Sequence, residues 1–150
     1  MPSGELQQLS DGNMITHQSD ELFANKKVVL FAVPGAFTPT CSVAHLPGYV
    51  VAADDFKAKG VDAIICLSVN DAFVMNAWGE SQNAENIMML ADGDGSYSQA
   101  LGLTMETASF GGLRSQRYAM VIDNGVVTGL FVEEPKAFEV SKAENVLESL

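Results

Sequence analysis

The chemistry in this sequence starts at a sulfur. Cys41 closes the stretch Val33-Pro34-Gly35-Ala36-Phe37-Thr38-Pro39-Thr40-Cys41, which follows the apolar run Val28-Val29-Leu30-Phe31-Ala32. Thr38 is a favoured N-cap type, and Pro39 takes the first helical position, where a missing N–H costs nothing. Cys41 is therefore predicted to lie in the first turn of a helix. Free N–H groups and the positive end of the helix dipole stabilise a thiolate there, and cysteines at such termini titrate at roughly 3.5 to 7.5 instead of about 8.5. One pKa unit equals about 1.4 kcal/mol, and a helix end alone supplies about one unit, so a nearby guanidinium is needed for more. A nucleophilic thiolate is the expectation; these residues do not name its electrophile.

The other reactive types have plainer readings. Cys66 sits inside Ala63-Ile64-Ile65-Cys66-Leu67-Ser68-Val69, where burial as an inert thiol is expected. From mid-strand it reaches Cys41 only by local unfolding. His45, four residues after Cys41, shares its helical face and invites comparison with a general base. His17 is expected at the surface. Arg114 reads equally well as a support behind the site or as a solvated loop charge. A cysteine hydrolase is disfavoured, because neither of the two histidines has an evident orienting partner. Asp92-Gly93-Asp94-Gly95 opens like a calcium loop but lacks the remaining ligands and the closing glutamate, so a turn is expected. With no G-x-G-x-x-G and no P-loop, no cofactor and no metal is expected.

Several elements must position these side chains. Residues 26–33 read as a buried strand, residues 39–59 as a helix, and residues 61–69 as a second strand, a βαβ unit with parallel strands. Pro47-Gly48 predicts a kink in that helix. Residues 71–81 read as a helix capped by Asn70 or Asp71, with Phe73, Met75 and Trp78 at helical spacing for a core or an interface. Residues 87–91 form a short inner strand. Two runs within Tyr118–Val132 flank Asn124-Gly125, the signature of a type I′ hairpin. Ser141-Lys142-Ala143-Glu144 has capping-box spacing and opens the last helix. This order predicts an α/β fold: a mixed sheet flanked by helices, with a C-terminal hairpin and helix, in the thioredoxin-like arrangement.

Bulk properties bound the possibilities further. At 150 residues, with 47% hydrophobic content, residues 1–150 are expected to form one domain with one well-formed core. Nineteen acidic against eight basic residues give a net charge of −11, which disfavours nucleic acid and anionic membranes as partners. No apolar run approaches the roughly 20 residues that span a bilayer. No secretory signal is visible, and two widely spaced cysteines suit a reducing compartment, so the expected location is cytoplasmic.

Pro34-Gly35-Ala36-Phe37-Thr38-Pro39-Thr40-Cys41 also resembles the P-x-x-x-T-x-x-C signature of the peroxiredoxins, and Ser42-Val43-Ala44-His45-Leu46-Pro47-Gly48-Tyr49 resembles the type II subfamily. The similarity continues through Cys66–Phe73 and Ala77-Trp78-Gly79 to Arg117-Tyr118-Ala119-Met120. It implies that Cys41 is the peroxidatic cysteine, attacking the peroxide O–O bond and becoming a sulfenic acid. By the same resemblance Thr38 directs its hydroxyl at the peroxide, Pro34 shields the sulfur, and Arg117 holds both thiolate and peroxide. Thr40, Cys41 and Arg117 form the implied substrate-binding set. His45 becomes part of the supporting shell or the subunit contact, and a homodimer is implied. The substrates would be hydrogen peroxide and alkyl hydroperoxides. With Cys66 doubtful as a resolving thiol, the reductant would be glutathione with glutaredoxin, or thioredoxin. The residue types suit this chemistry: displacement at oxygen builds negative charge on the departing oxygen, so fixed donors from Arg117, Thr38 and the Cys41 N–H favour the transition state. Arginine, with its planar fork of donors, serves better than lysine. A different use of the same cysteine, as a peroxide-responsive sensor or chaperone-like binding protein, would show as oxidation-dependent capture of a client rather than turnover.

Overall fold

The computed structural model describes residues 1–150. In chain order the elements are β1 (Glu5–Ser10), β2 (Asn13–Gln18), α1 (Ser19–Leu22), β3 (Lys27–Ala32), α2 (Leu46–Ala58), β4 (Ala63–Ser68), α3 (Ala72–Ser81) and β5 (Met88–Ala91). They continue with α4 (Ser96–Leu101), β6 (Thr104–Glu106), β7 (Leu113–Ser115), β8 (Tyr118–Asp123), β9 (Val126–Val132) and α5 (Ala143–Glu148). A π-helical turn, Cys41–His45, leads directly into α2.

Seven strands form one sheet in the order β2-β1-β5-β4-β3-β8-β9, while β6 and β7 pair separately. β3, β4 and β5 run parallel, and β1 and β8 join them antiparallel on either side. Both faces of the central strands are covered, which is why β3 and β4 read as continuous apolar runs rather than alternating ones. The pleat still sorts them. Val29, Phe31, Cys66, Ala119 and Val121 face a 22-residue cluster with α2, α3 and α5. Val28, Leu30, Ala32, Ile65 and Leu67 face a 13-residue cluster with Phe23 and Tyr97. Within the larger cluster Tyr49 stacks on Phe31, centroids 4.0 Å apart and rings 3° from parallel, and Phe56 stacks on Tyr49 at 5.6 Å. Aromatic pairs of this kind contribute about 0.5–1.5 kcal/mol beyond their buried area.

The register sets the site. Ala32, the last residue of β3, pairs with Tyr118, the first of the antiparallel β8. The loop leaving β3 toward Cys41 and the residue entering β8, Arg117, therefore meet at one sheet end. The expected hairpin is present: Asn124 and Gly125 both have positive φ, 49° and 79°, as a type I′ turn requires. An N-terminal hairpin, β1–β2, was not anticipated. Its signal was available in Asp11-Gly12, whose φ values of 50° and 78° repeat the same geometry. Asp71, not Asn70, caps α3, accepting the Val74 N–H at 2.9 Å. Asn70 instead accepts the Ala36 N–H and the Ser68 hydroxyl. Met75 and Trp78 are core residues, whereas Phe73 is exposed. Asp92–Gly95 is a turn whose Asp92 carboxylate accepts the Tyr97 and Ser98 N–H groups.

Candidate active site

Cys41 lies at the third position of a helix that opens at Pro39. The first intrahelical bond runs from Ser42 N–H to the Thr38 carbonyl at 2.9 Å. The Thr40 and Cys41 N–H groups thus precede any intrahelical acceptor and remain free donors. Thr38 is the N-cap by position but does not cap with its side chain. Its hydroxyl donates to the Gly35 carbonyl at 2.7 Å, closing the Pro34–Thr38 loop on itself. That leaves the hydroxyl oxygen's lone pairs for an incoming donor. The loop is strained: Phe37 has φ 63°, a left-handed conformation that costs a bulky residue on the order of 1–3 kcal/mol.

The kink expected at Pro47-Gly48 takes another form. Pro47 has no N–H for the Val43 carbonyl, so the chain widens one turn earlier and Leu46 N–H bonds to the Cys41 carbonyl instead. The helix continues unbroken through Ala58. Its widened turn, Cys41–His45, buries both Cys41 and His45.

Arg117 closes the site. Its Nη2 donates to Cys41 Sγ at 3.0 Å and its Nη1 to His45 Nδ1 at 2.7 Å. His45 Nε2 lies 3.2 Å from the Ser141 carbonyl. A carbonyl only accepts and a guanidinium only donates, so the imidazole is neutral with its proton on Nε2. Burial, and after it the Arg117 charge, push the His45 pKa down to about 3. The ring is no base for Cys41, since its one free lone pair already faces Arg117. The same Ser141 carbonyl accepts the Tyr49 hydroxyl at 2.7 Å. Phe138 packs edge-on against His45, with the Arg117 guanidinium 5.8 Å from its centroid.

Pro34, Gly35, Thr38, Met105, Phe110 and Arg114 line a cavity of about 220 Å³ on the loop side of the cysteine. Arg114 is a brace in its wall. It donates to the Gly111 and Val69 carbonyls, tying the β6–β7 loop to the end of β4. A wider cleft between the β1–β2 turn and α3 contains no thiol, imidazole or guanidinium. No three His, Cys, Asp or Glu side chains converge as a metal cage requires.

The Redoxin family description matches residues 1–147. Peroxiredoxin-2D of Arabidopsis thaliana is 44% identical over 153 residues, spanning 100% of this chain and 94% of the relative. The chain belongs to the type II peroxiredoxins. A second relative, the chloroplastic Peroxiredoxin-2E-2 of Oryza sativa subsp. japonica, is 51% identical over 146 residues, spanning 94% of this chain and 65% of its own. Among solved structures, reduced Prx3 of Vibrio vulnificus in complex with hydrogen peroxide superposes with a TM-score of 0.97 and 70% identity, covering 99% of this chain and 94% of that one. The mixed sheet and its flanking helices are the thioredoxin fold of the peroxiredoxins, and the protein is a thiol peroxidase.

Within this peroxiredoxin, Cys41 and Arg117 are in direct contact, Thr38 sits one turn ahead of the sulfur, and Pro34 lines the neighbouring cavity. Thr40 is exposed on the helix opening, and its N–H precedes the first intrahelical bond. Sequence reasoning missed Glu133, Phe138 and Ser141. The capping-box expectation for Ser141 is also corrected: its hydroxyl donates to Glu133 at 2.6 Å, and α5 begins at Ala143 without a side-chain cap. Only the unusual placement of a glutamate directly after an apolar strand hinted at Glu133. Cys66 is wholly buried in β4, and burial, followed by the nearby Cys41, pushes its thiol pKa up. Cys66→Ser should leave the rate of Cys41 oxidation unchanged while lowering stability by about 1–3 kcal/mol, the cost of a buried unpaired hydroxyl. Urea midpoints and rapid-mixing rates measured on the same preparation check both halves.

Proposed function

We propose that this peroxiredoxin reduces hydrogen peroxide and alkyl hydroperoxides at Cys41 and is regenerated by an external thiol, with glutathione and glutaredoxin favoured over thioredoxin. The observation that carries the reading is the buried Cys41 sulfur at a helix start, 3.0 Å from the Arg117 guanidinium. The thiolate attacks the distal peroxide oxygen. An S–O bond forms, the O–O bond breaks, and the departing alkoxide or hydroxide takes a proton to leave as alcohol or water. Sulfur is oxidised by two electrons and the peroxide is reduced by the same two. Arg117 and the free Thr40 and Cys41 N–H groups supply donors where that negative charge grows. The Thr38 O–H is held by the Gly35 carbonyl, so contrary to the donor role expected of it this oxygen accepts from the peroxide O–H, and Pro34 screens the sulfur from bulk water. Capture of hydrogen peroxide by the Vibrio vulnificus relative supports the peroxide class, and the apolar part of the cavity wall, Met105 and Phe110, supports room for an alkyl group.

The sulfenic acid then condenses with a small or protein thiol, releasing water, and a second thiol frees Cys41 as the mixed disulfide is reduced. An external donor is favoured because the one other thiol, Cys66, is buried and faces the core rather than the sulfur's approach path. Exposed Phe37, Phe73 and Phe110 support a homodimer, since a second copy would cover apolar area otherwise left in water. The cytoplasm is the proposed location because Cys41 works only as a reduced thiol. One equivalent of peroxide should add one oxygen, trapped as a dimedone adduct, at Cys41. Mass spectrometry locating the first adduct on Cys66 would overturn the reading, and steady-state turnover with thioredoxin alone would overturn the reductant assignment.

A further inference from the structure

Beyond the reacting pair, one buried carboxylate organises everything behind Arg117. Glu133 follows β9, and its N–H donates to the Arg117 carbonyl at 3.0 Å. Its side chain turns inward, 8% exposed, and accepts four hydrogen bonds: from the Glu139, Val140 and Ser141 N–H groups at 2.8, 3.2 and 2.9 Å, and from the Ser141 hydroxyl at 2.6 Å. No cation takes part. Desolvation alone would push this carboxyl up, but the hydrogen bonds outweigh it and hold the group below the ordinary carboxylate range. The carboxylate therefore serves as a four-donor anchor for the 134–141 segment, which carries both Phe138 and the Ser141 carbonyl.

We propose that Glu133 is a positioning residue for the peroxidase reaction: its carboxylate fixes the Ser141 carbonyl, that carbonyl fixes His45 as the Nε2–H tautomer, and the Nδ1 lone pair so presented aims Arg117 at Cys41 Sγ. Each link has one geometric solution. The Ser141 carbonyl is saturated by Tyr49 and His45. Were the segment to swing away, Nε2–H would lose its only acceptor, and the opposite tautomer would turn an N–H against Arg117 Nη1. The guanidinium would lose one of its two restraints and the sulfur its fixed donor. The inference rests on Cys41 and Arg117 as the reacting pair.

Charge and position predict opposite signs for His45. The ionisable groups around the ring are Arg117 ahead of β8, Cys41 and Tyr49 on its own helix, Glu133 behind Ser141, and Lys142 across Phe138. As a bare charge Glu133 favours imidazolium, so removing it would make His45 still harder to protonate. As an anchor it keeps the ring dry, so removing it admits water and lets the ring titrate. The chain has only two histidines, which makes the imidazole resonances simple to assign by NMR.

The experiment compares wild type, Glu133→Gln, Ser141→Ala and the exposed control Glu134→Gln in the full-length protein. In Glu133→Gln, hydrogen peroxide should oxidise Cys41 between about tenfold and a hundredfold more slowly. His45 should gain a titration above pH 5 that wild type and Glu134→Gln lack, with the oxidation rate falling along it. If Glu133→Gln fails to fold by circular dichroism, Ser141→Ala removes only one of the four bonds and should show the same two changes at smaller size. A rate within twofold of wild type, or a slower rate without the His45 titration, overturns the positioning role. If wild type itself does not oxidise at Cys41, the function proposed above has failed instead, and the histidine titration still reads the anchor by itself.

Discussion

Arg117→Ala should slow the oxidation of Cys41 by peroxide by about 10²- to 10³-fold, the range seen when one preorganised donor is removed from a developing oxyanion. Arg117 spans Cys41 Sγ and His45 Nδ1 with two different nitrogens, so its fork is held from both sides before any substrate arrives. None of that orientation has to be created during the reaction. Further N–H donors on the same plane remain for the peroxide oxygens. Arg117→Lys should recover little of the loss, since a single ammonium cannot make both contacts in one plane. Stopped-flow tryptophan fluorescence is a suitable measurement, because Trp78 Nε1 donates to Ser42, the residue beside Cys41. A rate for Arg117→Ala within fivefold of wild type would refute the electrostatic account of this site while leaving the family membership intact.

The second large effect is on stability and runs through His45. In the unfolded chain the imidazole protonates near its ordinary value of 6.5, whereas in the folded protein burial and Arg117 hold its pKa at about 3. Between those values the unfolded chain binds more protons, so folding stability falls as pH falls, by up to about 1.4 kcal/mol per unit. The loss begins near pH 6.5 and is complete near 3. Glu133 adds to it further down: its folded pKa is depressed below 4.5, so its contribution is whole above that value and fades as pH drops through the folded one. From pH 7 to pH 5 only His45 separates wild type from His45→Asn. The wild-type protein should lose about 2 kcal/mol more than the variant over that interval, read from urea midpoints. Parallel pH dependences would show that the ring is not held neutral as described.

Both effects depend on contacts of very different legibility. The type I′ turn at Asn124-Gly125, the buried strands and the helix beginning beside Cys41 follow from short-range rules, because backbone sterics and the missing N–H of Pro39 act within a few residues. Arg117 could be read as a partner for the sulfur only through family resemblance. The physical cause, antiparallel pairing of Ala32 with Tyr118, is a long-range register that no local window contains. The N-terminal hairpin went unread for a simpler reason: its strands are largely exposed and polar, so hydrophobic alternation is faint even though Asp11-Gly12 marks the turn.

Where local rules failed, they failed at hydroxyls. Thr38 has the type and position of a helix cap and Ser141 the type, standing two residues before α5, yet Thr38 bonds to Gly35 and Ser141 to Glu133. A cap offers a neutral hydroxyl a neutral backbone N–H, worth about 1 kcal/mol. A carboxylate brought alongside by folding accepts a shorter, charge-assisted bond roughly twice as strong, and Ser141 takes it. By itself the sequence determined that a nucleophilic cysteine stands where a strand turns into a helix, because residue type and spacing act locally. Only the tertiary structure decided which groups surround that sulfur and which nitrogen of His45 holds the proton, because those choices follow from donors and acceptors brought together across the sheet and shut away from water.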